Sequence, residues 1–150
     1  WLGEVDSSVP RWGTEQFEAF RIEAGVPRLG VDVDDKTIPQ EASLELDAVS
    51  FTKGCFLGQE LVCRIDTRGH VNKFLRRLQV EGVPGIERGA SIVLDGKDVG
   101  TVTSVAPVPD EDRTVALAMV RREVEPPAVV TIRWGDEHET SGELRPLQGH

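Results

Sequence analysis

Residues Lys53-Gly54-Cys55-Phe56-Leu57-Gly58-Gln59-Glu60 carry the side chains best suited to chemistry. Two glycines bracket a thiol and two bulky apolar residues, and a helical pattern follows at once. Glycine permits a tight turn or the close approach of another surface. A helix opening near Gly58 or Gln59 presents unpaired amide N–H groups and the positive end of its dipole. Cys55 lies just before that end and two residues after Lys53. Both neighbours favour a thiolate, which makes Cys55 a candidate reactive cysteine. A lone cysteine is also a common small buried hydrophobe, and local sequence leaves both roles open.

The elements around this loop follow from periodicity. The helix after it is expected over residues 58–68, with Leu61, Val62 and Ile65 as its apolar stripe and Gly69 at its C′ end. Cys63 falls beside that stripe and reads as a buried structural thiol. Arg64 and Arg68 share a face, and with Lys73, Arg76 and Arg77 they form a basic cluster suited to a carboxylate or phosphate. Ahead of the loop, Leu44, Leu46 and Ala48 alternate with acids as a short half-buried strand. A first helix is expected from Thr14 to Ala24, with Thr14 as N-cap, Gly25 at C′ and Pro27 blocking continuation. Its helically spaced Phe17 and Phe20 are expected in the core. Glu23 lies in the last turn, where a carboxylate opposes the dipole. It reads as solvated or as a partner of Arg21 or Arg28. Asp32, Asp34 and Asp35 lack calcium-loop spacing and read as solvated or turn-forming acids.

From Phe74 onward the pattern changes to short strands. Leu78–Val80, Ser91–Leu94, Val99–Val105, Arg113–Val120, Val129–Trp134 and Glu139–Leu144 are separated by turn residues. Asp95-Gly96 is a strong hairpin signal, and Val99, Thr101, Thr103 and Val105 are expected on one strand face. Six such strands predict a small closed or nearly closed antiparallel barrel. The fold class is α+β, with a domain at 1–70 and a barrel at 71–150.

The formal charge of −9 argues against a polyanion-binding surface over the whole chain and against direct nucleic-acid binding. No stretch is apolar and long enough to span a bilayer, and no secretory signal opens the chain. Cys55 and Cys63 have no paired metal spacing and form no disulfide framework, so a cytoplasmic location is expected. The scattered His70, His138 and His150 join no metal motif.

The string KGCFLGQE closely resembles the K-G-C-[YF]-x-G-Q-E signature of YgfZ-type folate-binding proteins, relatives of the glycine-cleavage T-protein, an aminomethyltransferase. A second block, from Phe20-Arg21-Ile22-Glu23-Ala24-Gly25 to Thr37-Ile38-Pro39-Gln40-Glu41, resembles the family in order and spacing. The resemblance implies the C-terminal part of a T-protein-like folate-binding domain followed by the barrel, with the rest of the folate domain ahead of Trp1 as its partner. It implies tetrahydrofolate or a derivative as ligand, with Glu23 at the pterin ring and Arg64 and Arg68 near the glutamate tail. It also implies that Lys53, Gly54, Phe56, Gly58, Gln59 and Glu60 form the motif around a functional Cys55. The expected role is support of iron–sulfur cluster assembly or repair, with iron–sulfur proteins or assembly factors as partners. The rival is a tetrahydrofolate-dependent aminomethyltransferase, and a third reading is an interaction module without folate.

Overall fold

The structure is a computed structural model, and it describes residues 12–44 and 71–147. Lys53 to Glu60, Cys63, Arg64, Arg68 and the helix expected at 58–68 lie outside the described residues, as does most of the strand expected at 44–48.

Six strands form a closed antiparallel barrel: β1 (Lys73–Glu81), β2 (Ser91–Leu94), β3 (Lys97–Pro107), β4 (Arg113–Arg121), β5 (Ala128–Trp134) and β6 (His138–Arg145). Their order around the barrel is β1-β4-β3-β2-β5-β6, and β6 pairs back onto β1 through Arg77–Arg145, Leu78–Leu144 and Gln79–Glu143. Closure gives every strand a neighbour on both sides, which protects the sheet edges. Asp95 and Gly96 both take positive φ, as the tight β2–β3 turn requires.

β4 is apolar on both faces, and its sequence Thr-Val-Ala-Leu-Ala-Met-Val shows why. Ala116, Ala118 and Val120 fill the barrel with Leu78, Val102, Ile92, Ile132 and Leu144. Val115 and Leu117 point outward into a second core with Leu75, Ala106, Val108 and Leu147. An unbroken apolar run is the mark of a strand buried on both sides. The outward core receives the helix α1 (Thr14–Glu23) through Ala19 and Ile22.

α1 matches its expected span, but Gly13, not Thr14, occupies the N-cap, and its N–H is accepted by the Gln16 side chain. Phe17 and Phe20 are not core residues: they are 55% and 54% exposed, and Phe20 meets Trp12 edge to face. The helix carries apolar groups on more than one side, and the Ala19/Ile22 side fits the small outward patch of the barrel.

Asp32 is likewise not a solvated acid. Its side chain is wholly buried and 2.9 Å from Arg21, itself 6% exposed. Arg21 uses all of its N–H groups, donating to Asp32, Glu18, the Val26 carbonyl and the Ser104 hydroxyl. Asp32 also accepts from the Arg28 amide and, at 2.6 Å, from the Thr103 hydroxyl. Asp34 does form a turn, and hydrogen bonds from the Thr37 hydroxyl and the Lys36 amide hold its carboxyl below the usual range.

The expected common face of Val99, Thr101, Thr103 and Val105 is broken by register shifts. β3 skips one residue opposite β4, at Thr103, and another opposite β2, at Val99. A bulge opposes two residues to one and re-aims a side chain. Here it turns the adjacent Thr103 and Ser104 hydroxyls outward together, one to Asp32 and one to Arg21. Thr103→Val is therefore expected to cost about 1.5–3 kcal/mol, the worth of a hydrogen bond to a charged group, and Thr103→Ser much less. Urea unfolding of the three proteins measures this.

Among the described residues no helix is long and apolar enough to cross a membrane, and no group of three or more His, Cys, Asp and Glu side chains is placed to hold a metal ion.

Candidate functional site

Glu23 is the one residue expected at the ligand that lies within the described residues. It ends α1, and its position is set twice over by the barrel. Arg77 of β1 donates to the Glu23 carbonyl at 2.8 Å and to the Pro146 carbonyl at 3.0 Å. The first bond caps a carbonyl that the helix end leaves unpaired. Arg113, the first residue of β4, meets the Glu23 carboxylate at 2.6 Å. Glu23 is thus paired neither with Arg21 nor with Arg28, which bind Asp32 and Glu18. The turn after Glu23 depends on Gly25, whose φ is +68°.

These groups line a cavity of about 100 Å³ between α1 and the outer wall of the barrel, with Ile22, Gln79, Val115 and Arg145. Its charges balance. Arg113 faces Glu23 on one side and Glu111 on the other, and Arg145 is paired with Glu143. The contact with Glu111, then that with Glu23, pushes the Arg113 guanidinium up, so it stays protonated. Arg113 in turn holds the Glu111 carboxyl below its ordinary value.

The described members of the expected basic cluster do not act together. Arg77 points outward to Glu23. Arg76 sits opposite Ala118 in the β1–β4 register and therefore faces the barrel interior. Its guanidinium lies 4.7 Å over the Phe74 ring, and burial lowers its proton affinity. Alternation along one strand separates adjacent arginines. Arg113 and Arg145 had no local signal in the sequence, because the helix they approach is remote in the chain.

The match to known proteins falls on this barrel. Residues 73–142 match the family described as the glycine cleavage T-protein C-terminal barrel domain. The barrel of this chain belongs to that family of C-terminal domains. It is 32% identical over 122 residues to an aminomethyltransferase of Rippkaea orientalis, covering 81% of this chain and 33% of that protein. It is 31% identical over 125 residues to the tRNA-modifying protein YgfZ of Klebsiella pneumoniae, covering 80% and 38%. The crystal structure of aminomethyltransferase T from Bartonella henselae superposes with a TM-score of 0.74 at 25% identity, covering 87% of this chain and 37% of that one. The chain spans about a third of the length of the curated relatives it matches. The α+β class and the small antiparallel barrel expected from the sequence agree with these matches and with the strand topology.

Proposed function

We propose that the complete protein binds tetrahydrofolate or a derivative, with Glu23 accepting N–H bonds from the amino-pyrimidine edge of the pterin. The observation that carries this reading is the Glu23 carboxylate, 38% exposed, lining an arginine-rich cavity and held at Oε1 by Arg113 among the described residues. An ionised carboxylate has about four acceptor sites, so the bond to Arg113 leaves room for two ligand donors. The residues present fit the edge of a pterin. The cavity is small beside the roughly 300–1,000 Å³ of sites for drug-sized ligands, so other parts of the protein complete the walls.

Within this reading the role is that of a YgfZ-type accessory protein supporting iron–sulfur cluster assembly or repair in the cytoplasm. Cys55 of KGCFLGQE is its functional thiol, and the surrounding motif residues shape its loop. Arg64 and Arg68 hold the glutamate tail. The order and spacing of the two sequence blocks, together with relatives that carry the YgfZ name, support it. A second reading, aminomethyl transfer to tetrahydrofolate, is favoured by the relatives named aminomethyltransferase. Turnover of an aminomethyl-lipoyl substrate by the complete protein decides between them.

The test of ligand binding is calorimetric titration of the complete protein with 5-formyltetrahydrofolate. Glu23→Ala is expected to weaken binding about tenfold or more, since a hydrogen bond to a charged group contributes about 1.5–3 kcal/mol. Equal affinity removes Glu23 from the site. For Cys55, alkylation rate against pH is expected to turn at a midpoint well below the roughly 8.5 of a free thiol. A midpoint at that value ends the thiolate assignment.

A further inference from the structure

Glu23 alone does not fix the direction in which its carboxylate acts. A glutamate on the last turn of a helix opposes the dipole and has several rotors to explore. Three contacts restrict it here. Arg77 pins the main chain through the Glu23 carbonyl. Arg113 takes Oε1 at 2.6 Å, with its own side chain only 21% exposed. Glu111 grips Arg113 from the far side.

We infer that Arg113 is a positioning residue for the ligand-binding carboxylate of Glu23, so that the barrel itself sets the affinity of the pterin site through the Arg113–Glu23 contact. The inference rests on the folate reading above. Arg113 need not touch the ligand. With Oε1 held, Oε2 and the spare lone pair of Oε1 present a fixed pair of acceptors toward the cavity, matched to a ligand with two neighbouring N–H donors. Arg113 also offsets the unfavourable placement of an anion at a helix C-terminus. Because Arg77 secures the backbone separately, loss of the Arg113 side chain releases the carboxylate without releasing the helix.

The opposite arrangement, in which Arg113 is a latch that the ligand must displace, makes an opposite prediction. The complete protein is titrated with 5-formyltetrahydrofolate as wild type, Glu23→Gln, Arg113→Gln, Arg113→Lys and the Glu23→Gln/Arg113→Gln double variant. Arg113→Gln is expected to weaken binding about fivefold, as a partly exposed ion pair allows. Arg113→Lys is expected to restore most of the loss. The double variant is expected to bind no worse than Glu23→Gln alone, because one residue acts through the other. Tighter or unchanged binding in Arg113→Gln overturns the inference, and so do losses that add in the double variant. Unchanged binding in Glu23→Gln overturns the folate reading and the inference with it. A loss in Glu23→Gln with none in Arg113→Gln overturns the inference alone. If Arg113→Gln fails to fold, Arg113→Lys decides: near-wild-type affinity supports positioning and a gain supports the latch.

Discussion

Arg21→Ala is expected to destabilise the protein by about 3–5 kcal/mol, the cost of breaking a buried ion pair from one side. Among the described residues, Asp32 would keep a wholly buried carboxylate with the Thr103 hydroxyl and the Arg28 amide left to balance it. The Val26 carbonyl and the Ser104 hydroxyl would lose their donors as well. Urea midpoints measure the loss. The combined change Arg21→Leu/Asp32→Asn is expected to recover much of it, because an ion pair replaced on both sides leaves no stranded charge. A loss under about 1 kcal/mol in Arg21→Ala would show that the Arg21–Asp32 pair contributes little to stability.

Gly25→Ala is expected to cost roughly 2–4 kcal/mol, from left-handed strain and from overpacking together. A Cβ on Gly25 would sit 2.5 Å from the Leu147 carbonyl oxygen and 3.2 Å from its Cγ, and the nearest atom is backbone. Relief requires the end of α1 to lift from the segment after β6, which carries Glu23 away from Arg113. Gly30 supplies the comparison. Its φ is +78°, yet nothing lies within 4 Å of the added carbon. Gly30→Ala should therefore show the strain alone, about 1–2 kcal/mol. Thermal unfolding of both variants separates the two contributions, and equal losses would sink the steric argument.

The barrel was legible in the sequence because its signals are local. Alternation, the Asp95-Gly96 turn and the apolar run of β4 each fit within a few residues. The span of α1 was legible for the same reason, since Gly25 and Pro27 end it. The buried face of α1 was not. Phe17 and Phe20 are larger and more apolar than Ala19, but the groove over Val115 and Leu117 admits small groups, and that groove belongs to another part of the chain. The burial of Asp32 was not legible for a related reason. An aspartate is buried only when paired, and its partners Arg21 and Thr103 meet it through tertiary structure alone. No glycine announces the bulge at Thr103. At the candidate site, the helix-terminal place of Glu23 was visible, whereas Arg113 emerged only from the packing of α1 on β4.

The clamp on Asp32 also bears on how the chain folds. Arg21 reaches Ser104 across 83 residues, and Asp32 reaches Thr103 across 71. Contacts so distant in sequence form only after large loops close, and their partners sit side by side only once the bulge in β3 exists. The cylinder has a hydrophobic interior of its own, so α1 is expected to dock onto it rather than to nucleate it. Amide protons in α1 are accordingly expected to exchange faster than those of the barrel strands, through a partial opening that leaves the cylinder intact, and hydrogen exchange measures this.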